Sequence, residues 1–271
     1  MTASSAILNS SSWLVRLGRL GYAAKGTVYI VMGALATKAA LGAGGETTDA
    51  HGALRAIGQA PFGKLALWII VVGLFGYTAW RIVSAATDAE RRGDAPSSIA
   101  LRLGEAFRGL VYAALGLWTL RFVTSGNGES GNQARSLTRQ VLSMPAGRWI
   151  VIAVGLGVIG YAAYQIYRSA SGKFMKRLDL SSAGPETAKW VVRMGRFGIA
   201  ARAIVFGMIG VLIFRAGWAF DPSKAGGIRQ SLNALAGQPG GKLVFSAVAV
   251  GLIAFGLFEL ATARYRVMRA V

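Results

Sequence analysis

Three pairs of basic residues interrupt apolar stretches at one fixed spacing: Lys25 and Lys38, Arg108 and Arg121, Arg202 and Arg215, each pair thirteen residues apart. Charge placed inside an apolar helix is expensive, and it marks ion or substrate paths, interior ion pairs, or side chains that snorkel to a surface. Basic side chains recurring at one level in such a place could attract an anion. Two further charges break otherwise clean apolar runs, Arg81 and Glu259, the latter in the segment GLFEL. Glu259 is the one acid well inside an apolar block, and an unpaired carboxylate at that depth would rather be protonated than charged. Its depth matches that of Arg202, which is its expected partner. Lys25 competes if the helices close into a ring, and cytoplasmic water or Arg264 is the ordinary alternative.

Other chemistry finds little to work with. Cysteine is absent and His51 is the single histidine, so thiol chemistry is excluded and a metal site would need carboxylates, of which the chain has only eleven scattered Asp and Glu. No nucleophile, base and orienting group stand at a recognisable spacing, and no glycine loop precedes a helix in the manner of a phosphate cradle. We expect no enzyme activity, no cofactor and no metal. The net charge of +19 does not point to nucleic acid, because the basic residues cluster between apolar blocks, where Lys and Arg orient membrane spans and meet anionic lipid.

The elements that must carry these charges are long apolar blocks. Apolar residues make up 54 % of the chain and charged ones 15 %, against roughly 25 % charged in ordinary soluble domains. Six blocks are of spanning length, near residues 22–41, 65–85, 106–124, 149–168, 198–218 and 243–263. The expected fold is an all-α integral membrane protein with six transmembrane helices arranged as three helical hairpins. Thirteen residues of helix rise about 20 Å and rotate by roughly 220°, so the two members of a basic pair cannot both face one central axis. At most one level, Lys25/Arg108/Arg202 or Lys38/Arg121/Arg215, can ring a central path.

The chain repeats itself. Shifts of 83 and 177 carry AKGTVYIVMG at 24–33 onto FRGLVYAALG at 107–116 and ARAIVFGMIG at 201–210. Shifts of 84 and 178 carry Pro61, Gly63, Gly73 and Tyr77 onto Pro145, Gly147, Gly157 and Tyr161, then onto Pro239, Gly241, Gly251 and Phe255. The same shifts set Glu259 level with Arg81 and Gln165. Units of this kind leave a face unpacked when alone, so the three hairpins are expected to pack on one another about a pseudo-threefold axis, an open row being the alternative.

The organisation follows: an N-terminal tail at 1–14, repeats at 15–88, 99–172 and 189–265, and a basic tail at 266–271. Residues 1–12 are polar and expected to be poorly ordered, without the pattern of a signal peptide. WLVRLGRLGYAAKG reads either as a helix lying on the membrane surface or as the end of the first span. Each repeat links its spans through a glycine-rich stretch and a short amphipathic helix that stops before a proline, resting on the outer surface or re-entering it. Trp13, Trp68, Trp149 and Trp190 fall near block ends, as an aromatic belt requires. The termini and inter-repeat loops hold 16 Lys and Arg against 11 in the connectors, which places both termini in the cytoplasm.

The repeat pattern A-[KR]-[GA]-x-V-[YF]-x3-G, the QAPFGK-like turn and the spans GLFGYTAWR and GVIGYAAYQ resemble a family of bacterial membrane proteins. That family is defined by a domain of unknown function present as three tandem two-helix repeats. The resemblance covers about residues 15–265, with FRGLVYAALG as the departing copy. It implies six helices in the bacterial cytoplasmic membrane and transfers no activity. Two functions fit the residues. The first is a structural or interaction role that organises anionic lipid or a membrane protein partner. The second is transport of a small anionic solute past one ring of basic residues.

Overall fold

The computed structural model describes residues 3–42, 48–87, 96–126 and 133–267. It is helical throughout these residues apart from turns and one isolated backbone bridge. The first repeat contains α1 (Ala3–Ala40), α2 (Ala50–Gln59) and α3 (Gly63–Ala86); the second α4 (Pro96–Ser125), α5 (Gln133–Leu142) and α6 (Gly147–Ala170); the third α7 (Pro185–Trp218), α8 (Ile228–Ala236) and α9 (Gly241–Tyr265). Among the described residues, five helical stretches are long and apolar enough to cross a membrane: Gly63–Ala86, Leu101–Ser125, Gly147–Ala170, Pro185–Trp218 and Gly241–Tyr265. The helix α1, which carries Lys25 and Lys38, is not among them.

The N-terminal expectation needs correction. Helix α1 begins at Ala3 and runs unbroken through the block assigned to the first span, so its backbone is neither an irregular tail nor a separate surface segment. No proline or glycine interrupts residues 3–17, and nothing in the sequence forces the helix to stop. Gly18 and Gly21 are buried within it, and the latter packs against α3.

Each connector forms the expected short helix and stops it in the same way. Helices α2, α5 and α8 end before Pro61, Pro145 and Pro239, and Leu54 and Leu232 are fully buried beneath the first and third. The residue after each proline turns left-handed: Phe62 at φ 60°, Ala146 at φ 60° and Gly240 at φ 69°. The glycine that follows opens the second long helix. A Cβ there would stand 2.3 Å from Ile57 O at Gly63, 1.9 Å from Val141 O at Gly147 and 2.1 Å from Leu235 O at Gly241. Pro-x-Gly is therefore required by the close approach of the short helix to the start of the long one.

The long helices pack side by side in the order α4, α3, α1, α9, α7, α6. First and last repeats meet through α1 and α9, and the ends of the arc are the two long helices of the middle repeat, which make next to no contact among the described residues. The four tryptophans expected at block ends are all exposed. A core of Val28, Tyr29, Met32, Leu67, Ile70, Leu74, Leu252 and Phe255 fills the inside of the arc.

Candidate functional site

One cavity of about 50 Å³ lies inside the arc, and all six long helices reach it. Its wall contains Tyr22 and Lys25 from α1, Arg81 from α3, Arg108 from α4, Gln165 and Arg168 from α6, Ile199 and Arg202 from α7, and Phe255 and Glu259 from α9. The repeat-equivalent sets Lys25/Arg108/Arg202 and Arg81/Gln165/Glu259 are thus gathered at one place. Lys38, Arg121 and Arg215 lie exposed, about 20 Å further along their helices and turned away by roughly 220°. The rotation over thirteen residues accounts for that division.

Glu259 is 5 % exposed, and its Oε1 accepts from Lys25 Nζ at 2.9 Å. Its other oxygen has no hydrogen-bond partner. The expected Arg202 partnership is not formed. Helix α9 packs directly on α1, which brings the Lys25 ammonium onto the carboxylate. Arg202 instead lies over aromatic faces, with its guanidinium carbon 4.8 Å from the Phe206 ring centre, 4.9 Å from Phe255 and 6.0 Å from Tyr29. Its Nε is buried without a hydrogen-bond partner, and it forms no ion pair among the described residues.

A second acid was missed by sequence reasoning. Glu105 is 4 % exposed and bonds both Arg81 Nη1 and Arg108 Nη2, the latter at 2.9 Å. It sits just before the apolar block of α4, where it looks like a surface residue. The repeat shift carried the signal: Glu105 stands level with Tyr22 and Ile199, both of which line the cavity. Arg81 Nη2 donates in turn to Tyr22 Oη at 2.7 Å. Arg266, assigned from sequence to the basic tail, is also part of the site. It is 8 % exposed and lies over the Tyr22 ring at 5.1 Å, held by its backbone bridge to Leu178.

Aromatic rings support the cations. Lys25 Nζ lies 5.6 Å from the Tyr77 ring centre, 5.5 Å from Tyr112 and 5.1 Å from Phe255. Arg81 lies 4.9 Å from Tyr77. Each such contact is worth on the order of 1 kcal/mol, more where water is excluded. These rings stand at recurring positions, Tyr29/Tyr112/Phe206 and Tyr77/Tyr161/Phe255, so the motif tyrosines and phenylalanines serve the basic level.

The charge balance is uneven. Among the described residues lining the cavity, Lys25 pairs with Glu259, Arg81 and Arg108 share Glu105, and Arg202 has no carboxylate partner. The arrangement can hold an anion. No group of three His, Asp or Glu that could hold a metal occurs among the described residues.

Comparison with known proteins agrees with the internal repeat. The family described as Domain of Unknown Function (DUF1206) matches three times in tandem, at residues 20–88, 103–172 and 197–266. "Uncharacterized protein YxxB" of Bacillus subtilis (strain 168) is 36 % identical over 256 residues, which is 94 % of this chain and 92 % of the relative. No solved structure matches the chain. With three copies of its repeat unit spread over most of the sequence, the chain belongs to the DUF1206 family.

Proposed function

We propose that the protein binds an anionic group at the centre of a six-helix bundle in the bacterial cytoplasmic membrane. In this reading α1 is the sixth span, its Lys25 tolerated because Glu259 neutralises it. The three hairpins surround a pseudo-threefold axis through the cavity, since repeat-equivalent positions from all three line it. The excess of Lys and Arg at the termini and inter-repeat loops puts these on the cytoplasmic side, and the site lies in that half.

The observation that carries the reading is Arg202, a cation facing the cavity without a carboxylate partner although two carboxylates stand in the same cluster. A bundle held together by charge alone would pair its ions internally, because an unpaired buried charge is costly. Here the surplus favours a bound anion. The reading is one of binding or passage of the anion. A structural role is the second reading, in which the ion pairs joining repeat 1 to repeat 3 and repeat 1 to repeat 2 serve to fasten the bundle.

Thermal unfolding of the delipidated protein in mild detergent tests the proposal, with phosphate, sulfate and chloride compared at equal ionic strength. A ligand that binds only the folded state stabilises by about 1.4 kcal/mol at ten times its Kd. Phosphate should raise the Tm of the native protein and leave that of Arg202→Gln unmoved. Equal shifts in both proteins would refute the site.

A further inference from the structure

The middle repeat is built like its neighbours but is not closed like them. In repeats 1 and 3 the two long helices meet at glycines. A Cβ on Gly21 would stand 2.4 Å from Tyr77 Cβ, and one on Gly198 2.5 Å from Phe255 Cα. A Cβ on Gly73 would stand 2.7 Å from Ala24 Cβ, and one on Gly251 2.2 Å from Ala201 Cβ. The corresponding glycines of repeat 2 are Gly104 and Gly157, and nothing lies within 4 Å of a Cβ at either. Gly160, one turn beyond Gly157, is equally open. The alanine that meets the glycine elsewhere, Ala24 or Ala201, is replaced here by Phe107, which is 66 % exposed. A ring at that position prevents the close approach that two small residues allow.

This gap borders the basic site. Arg108 on α4 and Gln165 and Arg168 on α6 line the cavity, so the helices flanking the opening form two of its walls. The axial directions are filled. Toward the termini, the 3-10 turn Lys173–Arg177 brings Phe174, 1 % exposed, against Phe258 at a ring separation of 5.4 Å, and Leu178 bridges Arg266. Toward the middle of the helices, Tyr77, Met32, Leu74 and Leu252 are buried in close packing. The flanking helices expose Leu103, Phe107, Leu110 and Val111 on α4 and Val154, Leu156 and Tyr164 on α6.

Resting on the anion site proposed above, we infer that its ligand arrives sideways from the bilayer, as the phosphate of an anionic phospholipid whose acyl chains occupy the gap between α4 and α6. Charge complementarity selects this occupant. The inner end of the gap holds Arg202, which has no carboxylate partner among the described residues, together with Arg108 of α4 and Gln165 of α6, while the outer faces are apolar. A phospholipid satisfies both at once. A free anion needs no apolar gap, and the helix of a second copy would have to bring a carboxylate to the cavity.

Native mass spectrometry of the delipidated full chain, titrated with phosphatidylglycerol and with zwitterionic phosphatidylcholine, tests the inference, with inorganic phosphate binding followed by calorimetry alongside. Phosphatidylglycerol should bind one per chain and about tenfold tighter than phosphatidylcholine, a difference of about 1.4 kcal/mol. Gly157→Trp fills the gap and should lose phosphatidylglycerol binding while keeping inorganic phosphate; Gly160→Trp does the same from the next turn, should the first variant fold poorly by circular dichroism. Arg202→Gln should lose both ligands. Phosphate binding without a preference for phosphatidylglycerol overturns the inference and leaves the anion site standing. So does phosphatidylglycerol binding unchanged in both tryptophan variants, or a mass showing two chains and no lipid. Absence of binding by either ligand to the native chain overturns the anion site itself.

Discussion

Lys25 Nζ and Glu259 Oε1 stand 2.9 Å apart, and that bond holds the first repeat to the last. Both side chains are 7 % exposed, so neither charge can turn to water when its partner is removed. The pair sits where α1 packs on α9, the contact that curves six long helices into an arc.

Breaking this pair should be severe and non-additive. Glu259→Gln leaves an ammonium buried beside a neutral amide, and loss of one partner of a buried pair costs about 3–5 kcal/mol. The double variant Lys25→Met, Glu259→Gln should recover part of that loss, with a coupling of about 0.5–3 kcal/mol. Denaturation in detergent measures it. The matching cycle with Arg202→Gln should show the smaller coupling, and a larger one there would return Glu259 to Arg202.

Glu105 competes with any bound anion for Arg108 and Arg81. Glu105→Gln should therefore lower stability, because two guanidinium groups lose their carboxylate, yet strengthen phosphate binding at the cavity. Opposite signs in the two measurements are the expected outcome. A variant that is weaker in both would mean that Glu105 only scaffolds the site.

The glycines of the hairpins should not be equivalent. Gly73→Leu and Gly251→Leu force a side chain onto Ala24 or Ala201, and overpacking of this kind costs about 1–3 kcal/mol or more. Gly157→Leu meets open space and should be close to neutral. Unfolding midpoints of the three variants check it, and similar losses at all three would show that the middle repeat is closed.

Asp49 caps α2, accepting from Gly52 N at 3.0 Å. Burial works to raise its pKa, but the His51 imidazole 3.8 Å away and the hydrogen bond from Gly52 outweigh that and hold it below the ordinary carboxylate value. A carboxyl lowered in the folded state stabilises above its unfolded pKa of about 3.9 and loses that contribution as pH falls through the folded value. Asp49→Ala should cost about 1 kcal/mol at neutral pH. The difference from the native protein should shrink below about pH 4, as stability measured across a pH series will show.

Much of this was legible in the sequence because repetition exposes position. The three Pro-x-Gly turns and the short helices before them follow from the repeat shifts, which also set Lys25, Arg108 and Arg202 at one level without saying that the helices would bring them together. Lys25, Arg108 and Arg202 occupy corresponding sites, and helical rotation separates them from Lys38, Arg121 and Arg215. The partner of Glu259 was not legible, since spacing gives depth along a helix but not which neighbour packs against it. Glu105 escaped because it borders its apolar block, and Arg266 because it follows the last one. The gap in the middle repeat was written in one residue, Phe107 in place of alanine, whose consequence depends on a helix fifty residues further on.

Calorimetric titration of the delipidated protein with inorganic phosphate tests the central claim most directly, with Arg202→Gln and Arg215→Gln as a matched pair from one helix. The account predicts one phosphate per chain, binding weakened about tenfold or more by Arg202→Gln, a loss of at least 1.4 kcal/mol, and unchanged by Arg215→Gln, whose side chain is exposed. No saturable binding, or equal weakening by both substitutions, would contradict it.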